Sequence, residues 1–543
     1  MTTWIFISFI SFTIFAALLT WLITRLDEKS SSDGFFLGGR SLTFPIIAGS
    51  LLLTNLSTEQ MVGLNGAAFN DGLSVMAWEV VAVIALIIMA LYFLPKFLKG
   101  GITTVPQFLE LRYDRGTQTI ANCIFLFAYT FLLLPIILYS GAVGLSHMMD
   151  LQTLTGINEP VVILGKIYEP EFLILCLTVI VIGVLGLLYS RFGGLRTLAV
   201  LDTINGVGLL IGGMTIAYFA LNKVSAGEGI LEGWSILRDA APDRLSSIGK
   251  NDQSVPFSTL FTGVALLNLF YWCTNQQIIQ RTLGARNLAE GQKGVLLTGA
   301  LKLLGPIYLV IPGIIAYHLY KDTGIGADLA YGKLVFDVLP TPLTGFFAAV
   351  MVGAILSSFN AGLNSTSALF SLGLYKNIIN NSDEKQMVRV AKVFVVCTAG
   401  LAMFIAPMLA GQASIFGYLQ KMNGIYFIPI FAVVVVGLLN RKVPSFAGQM
   451  GLVVGIVIIA SGYFYPPFAR TLSSAGIHEF HFLGIVFALL VSLMLLTSIV
   501  APRSEPWKMV YTKEVDLTPW QGAKSASLVL FILVIMIYAA FAV

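Results

Sequence analysis

The sequence carries little charge for its length. Aspartate, glutamate, lysine and arginine make up only 11% of its 543 residues, while 57% of the residues are hydrophobic. Soluble globular domains average about a quarter charged residues. This composition therefore excludes an ordinary soluble domain and predicts a polytopic membrane protein. The formal net charge of +4 is explained by basic loops between membrane spans and does not indicate a nucleic-acid partner.

Cysteine is scarce and nucleotide-binding motifs are absent. The four cysteines, Cys123, Cys176, Cys273 and Cys397, are scattered through apolar segments without paired spacing, which argues against a disulfide framework or a thiolate metal site. No P-loop pattern is present, and the longest polar loop, residues 223–256, is too short for a nucleotide-binding module. The sequence thus argues against an enzyme and against ATP-powered transport within this chain.

The sequence consists largely of long apolar runs. A membrane-spanning helix needs about 20 mostly apolar residues, and about fourteen such spans can be placed. They cover residues 4–24, 42–69, 73–98, 118–147, 171–190, 196–222, 257–280, 294–320, 342–375, 389–409, 412–440, 446–466, 480–501 and 525–543. The first span has neither a basic leading region nor a small-residue cleavage site, so we predict a retained helix and not a signal peptide.

The basic residues indicate the orientation of the chain. When alternate loops are assigned to opposite sides, most lysines and arginines fall on the side of Arg25, Arg40 and Lys99. Cytoplasmic loops carry an excess of Lys and Arg. That side is therefore predicted to be cytoplasmic, with both termini outside and the protein in the inner (plasma) membrane.

Two of the apolar segments are interrupted by polar runs. Thr54–Gln60 lies within the segment 42–69, and Asn268–Gln277 interrupts the segment 257–280 in the same way. A broken helix in a bilayer survives only where it faces protein or a water-filled cavity, because its free backbone groups must be satisfied there. Paired interruptions in two halves of a chain are typical of secondary transporters, whose solute and ion sites lie near the bilayer midplane.

Three ionisable residues within predicted spans are informative. Glu79, Asp202 and Lys302 would each cost roughly 2.5 to 3.5 kcal/mol at a helix centre on insertion scales. One interpretation of Glu79 and Lys302 is that both sit at helix ends and extend to the membrane surface. The other is that they line a cavity with Gln60 and Asn268, a set of donors and acceptors suited to a polyhydroxylated solute.

Aromatic residues adjoin this predicted solute site. Trp78 precedes Glu79, and Tyr271 lies three residues after Asn268 on the same helical face. A sugar ring could stack on either side chain. Ordinary packing, or anchoring at the membrane interface, explains each aromatic equally well when it is taken alone.

A third constellation indicates an ion site. Ala354, Ser357 and Ser358 share one helical face because they are spaced i, i+3 and i+4. On its own this pattern is weak, since Ser in membrane helices more often bonds the i−4 carbonyl or a neighbouring helix. If these three residues lie opposite free carbonyls of a broken helix, such as those of Leu53 and Leu56, the two groups together make an all-oxygen site without a carboxylate. Hard cations take oxygen ligands, and Na⁺ is the predicted ion.

These features occur together with motifs of a known family. The chain resembles the sodium/solute symporters of the sodium/glucose cotransporter type over nearly its whole length. The motifs that carry the resemblance are Ser57-x-Glu59-Gln60, Tyr92-Phe93-Leu94-Pro95, Tyr189-Ser190-x-x-Gly193-Gly194-Leu195, Asn275-Gln276-x-Ile278-Ile279-Gln280-Arg281-Thr282-Leu283 and Ser357-Ser358-x-x-x-x-Leu363-Asn364-Ser365-Thr366.

The resemblance implies an all-α membrane fold with a five-plus-five inverted-repeat core of the leucine-transporter type, in which the first helix of each repeat is broken. The implied divisions are an N-terminal extra helix and cytoplasmic loop (1–41), the first repeat (42–222), an extracellular loop (223–256), the second repeat (257–440) and C-terminal extra helices (441–543).

The resemblance also implies roles for single residues. The sugar positions would be Gln60, Glu79, Asn268, Lys302 and Gln420, with Tyr271 as an inner gate that also touches the sugar and Trp78 and Phe416 as gating aromatics above it. The sodium positions would be Leu53, Leu56, Ala354, Ser357 and Ser358.

The sequence departs from the family pattern at a few of these positions. Trp78 and Ala82 replace a tyrosine and a serine beside the sugar. Some relatives hold a second sodium with an aspartate that matches Asp202 and two serines, and those serines are Asn360 and Ala361 here. We therefore expect no stably occupied second sodium site. Asp202 is predicted to be either a transient station for Na⁺ leaving toward the cytoplasm or part of a structural ion pair.

The resulting prediction is a Na⁺-coupled symporter that imports a neutral monosaccharide such as galactose or glucose. The alternatives are a symporter of the same fold for myo-inositol, an amino acid or a carboxylate, and a channel or sensor derived from this fold. A sensor would need an output module, and the loops are too short for one. The oligomeric state is left open.

Overall fold

The computed structural model of the protein describes residues 2–26, 32–149, 151–163, 165–192, 194–379, 383–410 and 415–542. These residues are predominantly helical, as expected for an apolar chain whose backbone groups must be hydrogen-bonded within each segment. A short antiparallel hairpin, β1 Val161–Ile163 and β2 Lys166–Tyr168, pairs Val162 with Ile167. The apolar runs did not predict this hairpin.

The N-terminal half of the chain contains helices of very different lengths. They are α1 Thr2–Thr24, α2 Ser32–Leu37, α3 Phe44–Asn55, α4 Thr58–Asp71, α5 Ala77–Ile88, α6 Leu94–Lys99, α7 Val105–Arg112, α8 Arg115–Ala128, α9 Leu134–Met148, α10 Leu151–Thr155, α11 Pro170–Phe192, α12 Leu195–Val224 and α13 Ile230–Ala240. Short π-helical segments, Met89–Phe93 and Tyr129–Leu133, join α5 to α6 and α8 to α9.

The C-terminal half continues in the same way. Its helices are α14 Gly263–Cys273, α15 Gln276–Leu283, α16 Leu288–Lys302, α17 Gly305–Leu309, α18 Ile311–Tyr320, α19 Ala327–Val338, α20 Thr341–Ala368, α21 Lys376–Ile379, α22 Glu384–Ile405, α23 Ile415–Leu439, α24 Ser445–Phe464, α25 Pro466–Ser474, α26 Glu479–Val500 and α27 Ala523–Ala540. A π-helical segment, Leu369–Tyr375, follows α20.

Within the described ranges, 11 helices are long and apolar enough to cross a membrane, or up to 12 if the bent pair Leu288–Lys302 and Gly305–Thr323 is one span. One of the 11 is the 42-residue stretch Thr58–Lys99, far longer than one crossing needs. Gly72, with φ of 77° and ψ of −149°, is not helical and separates α4 from α5. The count of fourteen spans depends on how such broken segments are counted and stays a prediction, as do the five divisions.

The membrane helices differ in how much of their surface other helices cover. About four fifths of the apolar stretches Thr58–Lys99 and Thr341–Tyr375 are buried, compared with 11% of Trp4–Thr24 and 22% of Ala523–Ala540. The helices that carry the predicted site residues therefore form the centre of the molecule, while α1, α26 and α27 expose large apolar side chains to the surroundings.

The predicted extracellular loop covers one end of the broken segment α3–α4. It contains α13 and a 3₁₀ turn, Pro242–Leu245. The Arg244 guanidinium donates hydrogen bonds of 2.7 Å to the carbonyl groups of Phe69 and Asn70 and lies 3.4 Å from the centre of the Tyr317 ring. These contacts satisfy carbonyls at the C-terminal end of α4, which its own helix leaves free.

Candidate functional site

The break between α3 and α4 frees two backbone carbonyls in the centre of the protein. In a continuous helix the Leu53 carbonyl would accept from Ser57 N–H, but that N–H donates to the Asn55 carbonyl. Likewise, the Leu56 carbonyl would accept from Gln60 N–H, which donates to the Ser57 carbonyl. Leu56 and Ser57 adopt ψ angles of 64° and −177°, which end the helix. The Leu53 and Leu56 carbonyls, two of the groups predicted to ligate sodium, have thus lost their helical donors.

Helix α20 faces this break with its two serines. The Ser358 hydroxyl donates a 3.0 Å hydrogen bond to the Thr54 carbonyl, which ties α20 to the end of α3. Ser357 Oγ is buried beside Asp202 and interacts with its carboxylate, but it forms no hydrogen bond of good geometry with the described residues. The Leu53 and Leu56 carbonyls and the two serine hydroxyls are oxygen groups of the kind that a hard monovalent cation takes as ligands.

The break between α14 and α15 also lies beside α20, and α15 contacts α3 as well. Asn275 Oδ1 accepts from the Tyr129 hydroxyl and, at 3.2 Å, from Gln277 N–H, so its side chain caps α15. Gln277 Nε2 approaches the Ser358 carbonyl at 3.5 Å. Residues of both interrupted segments therefore contact Ser358.

Glu79 and Lys302 form a buried ion pair. Lys302 Nζ lies 2.7 Å from the Glu79 carboxylate, also donates to Asn55 Oδ1, and lies 5.1 Å from the centre of the Trp272 ring. Both charged residues have no exposed surface, so the interpretation that they reach the membrane surface from helix ends is wrong. Gly305 packs against the Glu79 carboxylate, where an added Cβ would come within 2.7 Å.

A small polar cavity lies beside this ion pair. Its volume is about 50 Å³, room for a few water molecules and well below the 300 Å³ or more of typical ligand pockets. A hexose would require its walls to move apart. The lining residues are Asn55, Glu59, Gln60, Trp78, Leu267, Asn268, Tyr271, Trp272, Phe416, Leu419, Gln420, Asn423 and Phe427.

The cavity gathers most of the predicted solute residues. Gln60, Asn268, Tyr271 and Gln420 line it directly, whereas Glu79 and Lys302 bind each other behind Asn55. The two predicted gating aromatics, Trp78 and Phe416, also line it and pack edge to face with ring centres 5.9 Å apart. Phe480 packs against Trp78 at 5.5 Å, which closes this wall of the cavity.

Two acceptor oxygens in the cavity wall have no donor. Gln60 Oε1 and Glu59 Oε2 are buried without a hydrogen-bond partner in the described part of the chain, and no described lysine or arginine forms an ion pair with Glu59. By contrast, the amide of Asn423 donates to Gln420 Oε1 at 3.4 Å. The free oxygens are therefore contributed by α4.

Asp202 lies in a separate buried network. Its Oδ2 accepts from the Ser50 hydroxyl at 2.8 Å and from Arg281 Nη2 at 3.4 Å, and Arg281 Nε donates to Ser50 at 3.0 Å. Asp202 and Arg281 are both buried. Asn360 Oδ1 accepts a 2.9 Å hydrogen bond from the Ser190 hydroxyl, so this amide oxygen already has a hydrogen-bond donor.

Sequence reasoning missed several residues of the site. Asn55, Glu59, Trp272 and Asn423 line the cavity, and Arg281 neutralises Asp202. Asn55 and Glu59 lie within the polar run that was recognised, and Asn423 follows Gln420 by three residues on one helical face. Proximity in sequence to a predicted residue was thus an available signal for some of them.

Comparison with known proteins gives concordant matches. The model of a family described as the sodium:solute symporter family matches residues 35–168 and 173–455. An uncharacterised symporter, YidK, of Escherichia coli (strain K12) is 41% identical over 541 residues, covering 99% of this chain and 90% of its own. The sodium/glucose cotransporter of Vibrio parahaemolyticus is 33% identical over 480 residues, covering 83% of this chain and 84% of its own.

Among solved structures, a Na⁺-coupled sialic acid symporter in a substrate-bound outward-open state superimposes with a TM-score of 0.76. The superposition covers 93% of this chain and 99% of the symporter at 18% sequence identity. This likeness establishes that the two chains share a fold.

Proposed function

Because the chain belongs to the sodium:solute symporter family, a family of Na⁺-coupled transporters of the plasma membrane, we propose that it imports a neutral polyhydroxylated solute, most simply a hexose such as galactose or glucose. Transport would proceed by alternating access to the cavity between α4, α14 and α23. The similarity to the Vibrio sodium/glucose cotransporter supports a sugar as the solute.

The observation that carries this proposal is the charge and hydrogen-bonding state of the cavity. Lys302, the cation nearest to it, is neutralised by Glu79 at 2.7 Å, while Gln60 Oε1 and Glu59 Oε2 lack donors. Free buried acceptors are satisfied by solutes that bring hydroxyl donors. A carboxylate solute would find Lys302 already paired with Glu79, which disfavours an anion.

Sodium is the cotransported ion, and α3 and α20 supply groups that fit it. The Leu53, Leu56 and Ala354 carbonyls with the Ser357 and Ser358 hydroxyls would hold it. Binding there would fix the break after Asn55 against α20, and Asn55 is itself bonded to Lys302. Na⁺ and the solute would thereby favour the same arrangement, so each would raise the affinity for the other, which is a favourable coupling free energy between the two sites.

Uptake into proteoliposomes tests the proposal. Purified protein would be assayed with labelled galactose, glucose, myo-inositol, an amino acid and gluconate, each with and without an inward Na⁺ gradient. We expect concentrative, gradient-dependent uptake of a hexose. Uptake of gluconate or the amino acid alone would contradict the neutral polyol assignment, and uptake that only equilibrates the solute would indicate a channel.

A pair of variants on α4 links uptake to the cavity. Gln60→Ala removes an amide that lines it, whereas Asn65→Ala removes an amide on the same helix whose Nδ2 donates to the Met61 carbonyl and which does not line the cavity. Loss of a partner to a bound hydroxyl costs about 1 to 3 kcal/mol. We expect roughly tenfold weaker solute binding in Gln60→Ala and a smaller change in Asn65→Ala.

A further inference from the structure

A second cavity, of about 350 Å³, opens at the membrane end that is predicted to be cytoplasmic. Four basic side chains line it: Lys96, Lys99, Arg441 and Lys508. They come from the end of the Thr58–Lys99 stretch, from the residues after α23 and from the extended segment after α26. The site is unrelated to the solute cavity and to the sodium residues.

The cations of this cavity are not neutralised by the protein. No carboxylate is among its lining residues, and none of the four basic groups forms an ion pair with a residue of the described chain. Lys96 Nζ lies 3.4 Å from the centre of the Tyr92 ring. This cation–π contact orients the ammonium group but does not neutralise its charge. Four like charges around one cavity repel each other and favour an anion among them.

The walls of the cavity are fixed by the backbone. Trp507 N–H donates to the Arg441 carbonyl at 3.0 Å, and Thr512 N–H donates to the Lys99 carbonyl at 3.2 Å. The indole N–H of Trp507 donates to the Leu111 carbonyl at 2.8 Å. The segment after α26 is therefore hydrogen-bonded to the end of α6, which carries Lys99, and to Arg441 after α23. These bonds hold the four cations around one cavity.

One wall of the cavity is apolar. Leu438 and Trp507 line it together with the basic side chains, and Leu438 belongs to the last turn of a membrane-spanning helix. An apolar wall does not contribute to the binding of a small soluble anion. A phospholipid, by contrast, places an anionic phosphate at the membrane surface directly above its acyl chains, and basic pockets between helix ends bind such headgroups.

We propose that this cavity is a binding site for the phosphate headgroup of an anionic phospholipid of the adjacent leaflet. The basic groups hold the phosphate and the headgroup, and the wall of Leu438 and Trp507 contacts the first part of an acyl chain. Bound lipid bridges the end of α6 to the residues after α23.

Native mass spectrometry of the full-length protein in detergent tests this site. The protein would be titrated with phosphatidylglycerol and, separately, phosphatidylcholine of the same acyl chains. We expect the first phosphatidylglycerol to bind at least about tenfold more tightly than phosphatidylcholine, because each Lys or Arg near a membrane surface adds to the attraction of anionic lipid. Equal affinity for the two lipids would overturn the proposal.

Two matched triple variants separate a defined site from diffuse charge. Lys96→Gln/Arg441→Gln/Lys508→Gln removes three lining cations and should abolish the preference for phosphatidylglycerol. Lys385→Gln/Lys442→Gln/Lys524→Gln removes the same charge from exposed residues on the same predicted side that do not line the cavity and should retain it. An equal loss in both would mean that the preference is not due to this site.

Inorganic phosphate distinguishes the lipid from a soluble anion. At millimolar concentration it should leave the first bound phosphatidylglycerol in place, because it lacks the acyl chain that contacts Leu438. Displacement of the lipid by phosphate would show a soluble-anion site and overturn the assignment. Thermal unfolding of each variant in detergent checks that all are folded.

Discussion

Lys302 Nζ lies 2.7 Å from the carboxylate of Glu79, and neither side chain is exposed. The two residues are separated by 223 positions in the sequence and come from α16 and α5. Desolvation makes each charge costly alone, so each is tolerated in the bilayer because the other is present. This pair joins two helices beside the solute cavity, and the cavity lining in the described part of the chain contains no lysine or arginine for an anionic solute.

Breaking this pair should destabilise the protein strongly. Glu79→Gln leaves the Lys302 ammonium buried without its counter-charge, and Lys302→Met leaves the Glu79 carboxylate buried without its own. Each substitution should lower the free energy of unfolding by about 3 to 5 kcal/mol. Reversible unfolding in mixed micelles measures this. The double variant should lose much less than the sum of the two single losses.

The half-exposed pair of Lys333 and Asp337, at 3.1 Å, provides the control. Lys333→Gln should change the free energy of unfolding by about 0 to 1 kcal/mol, since exposed ion pairs contribute little. If the losses of Glu79→Gln and Lys302→Met were equally small, the buried pair would not have the role assigned to it.

Ser357→Ala should weaken sodium binding. It removes one hydroxyl from the sodium site proposed between α3 and α20, so the Na⁺ concentration for half-maximal uptake should rise about tenfold, the loss typical of one bond to a charged group. Na⁺-dependent uptake measures it. Ser367→Ala, whose hydroxyl donates only to the Asn364 carbonyl on the same helix, is the control. Unchanged Na⁺ dependence in both Ser357→Ala and Ser358→Ala would refute the site.

Asp202→Asn should act on stability more than on equilibrium sodium affinity. Asp202 neutralises Arg281 at 3.4 Å in a fully buried network, so its removal should cost about 3 to 5 kcal/mol of unfolding free energy. Arg281→Gln added to Asp202→Asn should recover part of this loss. Calorimetry of Na⁺ binding to folded variants gives the affinity.

The same network bears on the number of sodium ions. With the Asp202 carboxylate bonded to Arg281 and Ser50 and the Asn360 amide oxygen bonded to Ser190, we expect one Na⁺ per solute and at most a transient passage of Na⁺ past Asp202. Reversal potentials in proteoliposomes give the ratio, and a value of two would exclude the single-site scheme.

Glu59 should determine discrimination by charge. As an ionised group that lines the cavity and pairs with none of the described lysines or arginines, Glu59 would repel an anion, so glucuronate should compete poorly with glucose in the wild type. Because charges a few ångströms apart interact by several kcal/mol at protein-like dielectric, Glu59→Gln should improve competition by glucuronate about tenfold or more. Glu59→Asp keeps the charge and should keep the discrimination. Equal glucuronate inhibition of wild type and Glu59→Gln would rule out this role.

Asp114, which precedes the span Arg115–Ser146, should give a pH-dependent contribution to stability. Partial burial opposes its ionisation, but hydrogen bonds from the Thr117 N–H and hydroxyl at 2.7 and 2.8 Å and from Gln449 outweigh burial and hold the pKa of this carboxyl below its ordinary value. A depressed pKa adds stability at pH values above the ordinary pKa. That stability is lost as the pH falls through the lowered pKa.

Asp114→Asn resembles the protonated side chain, because it keeps a capping oxygen and loses the charge. Its unfolding temperature should lie below that of the wild type at neutral pH, and the difference should shrink as the pH falls below about 3.8, the ordinary value. A difference that stays constant between neutral pH and pH 3 would contradict the assignment.

Parts of the fold and of the site were predictable from local sequence. The polar runs at Thr54–Gln60 and Asn268–Gln277 identified both helix breaks, since a polar interruption of an apolar segment is a property of neighbouring residues. The i, i+3, i+4 spacing predicted a shared face for Ala354, Ser357 and Ser358, and their role as ion ligands stays a prediction. The hairpin of Val161–Ile163 and Lys166–Tyr168 was missed because three-residue strands carry too little periodicity.

The sequence alone therefore determined that this chain crosses a membrane many times, where two of its helices are interrupted, and which family it resembles. Tertiary structure decided which charges are neutralised: Lys302 binds Glu79 and Arg281 binds Asp202, whereas Glu59 is left without a cation. The reason is physical. Hydropathy and helical spacing depend on residues within a few turns, but the partner of a buried charge depends on which helices pack together, and that is set by contacts between residues hundreds of positions apart.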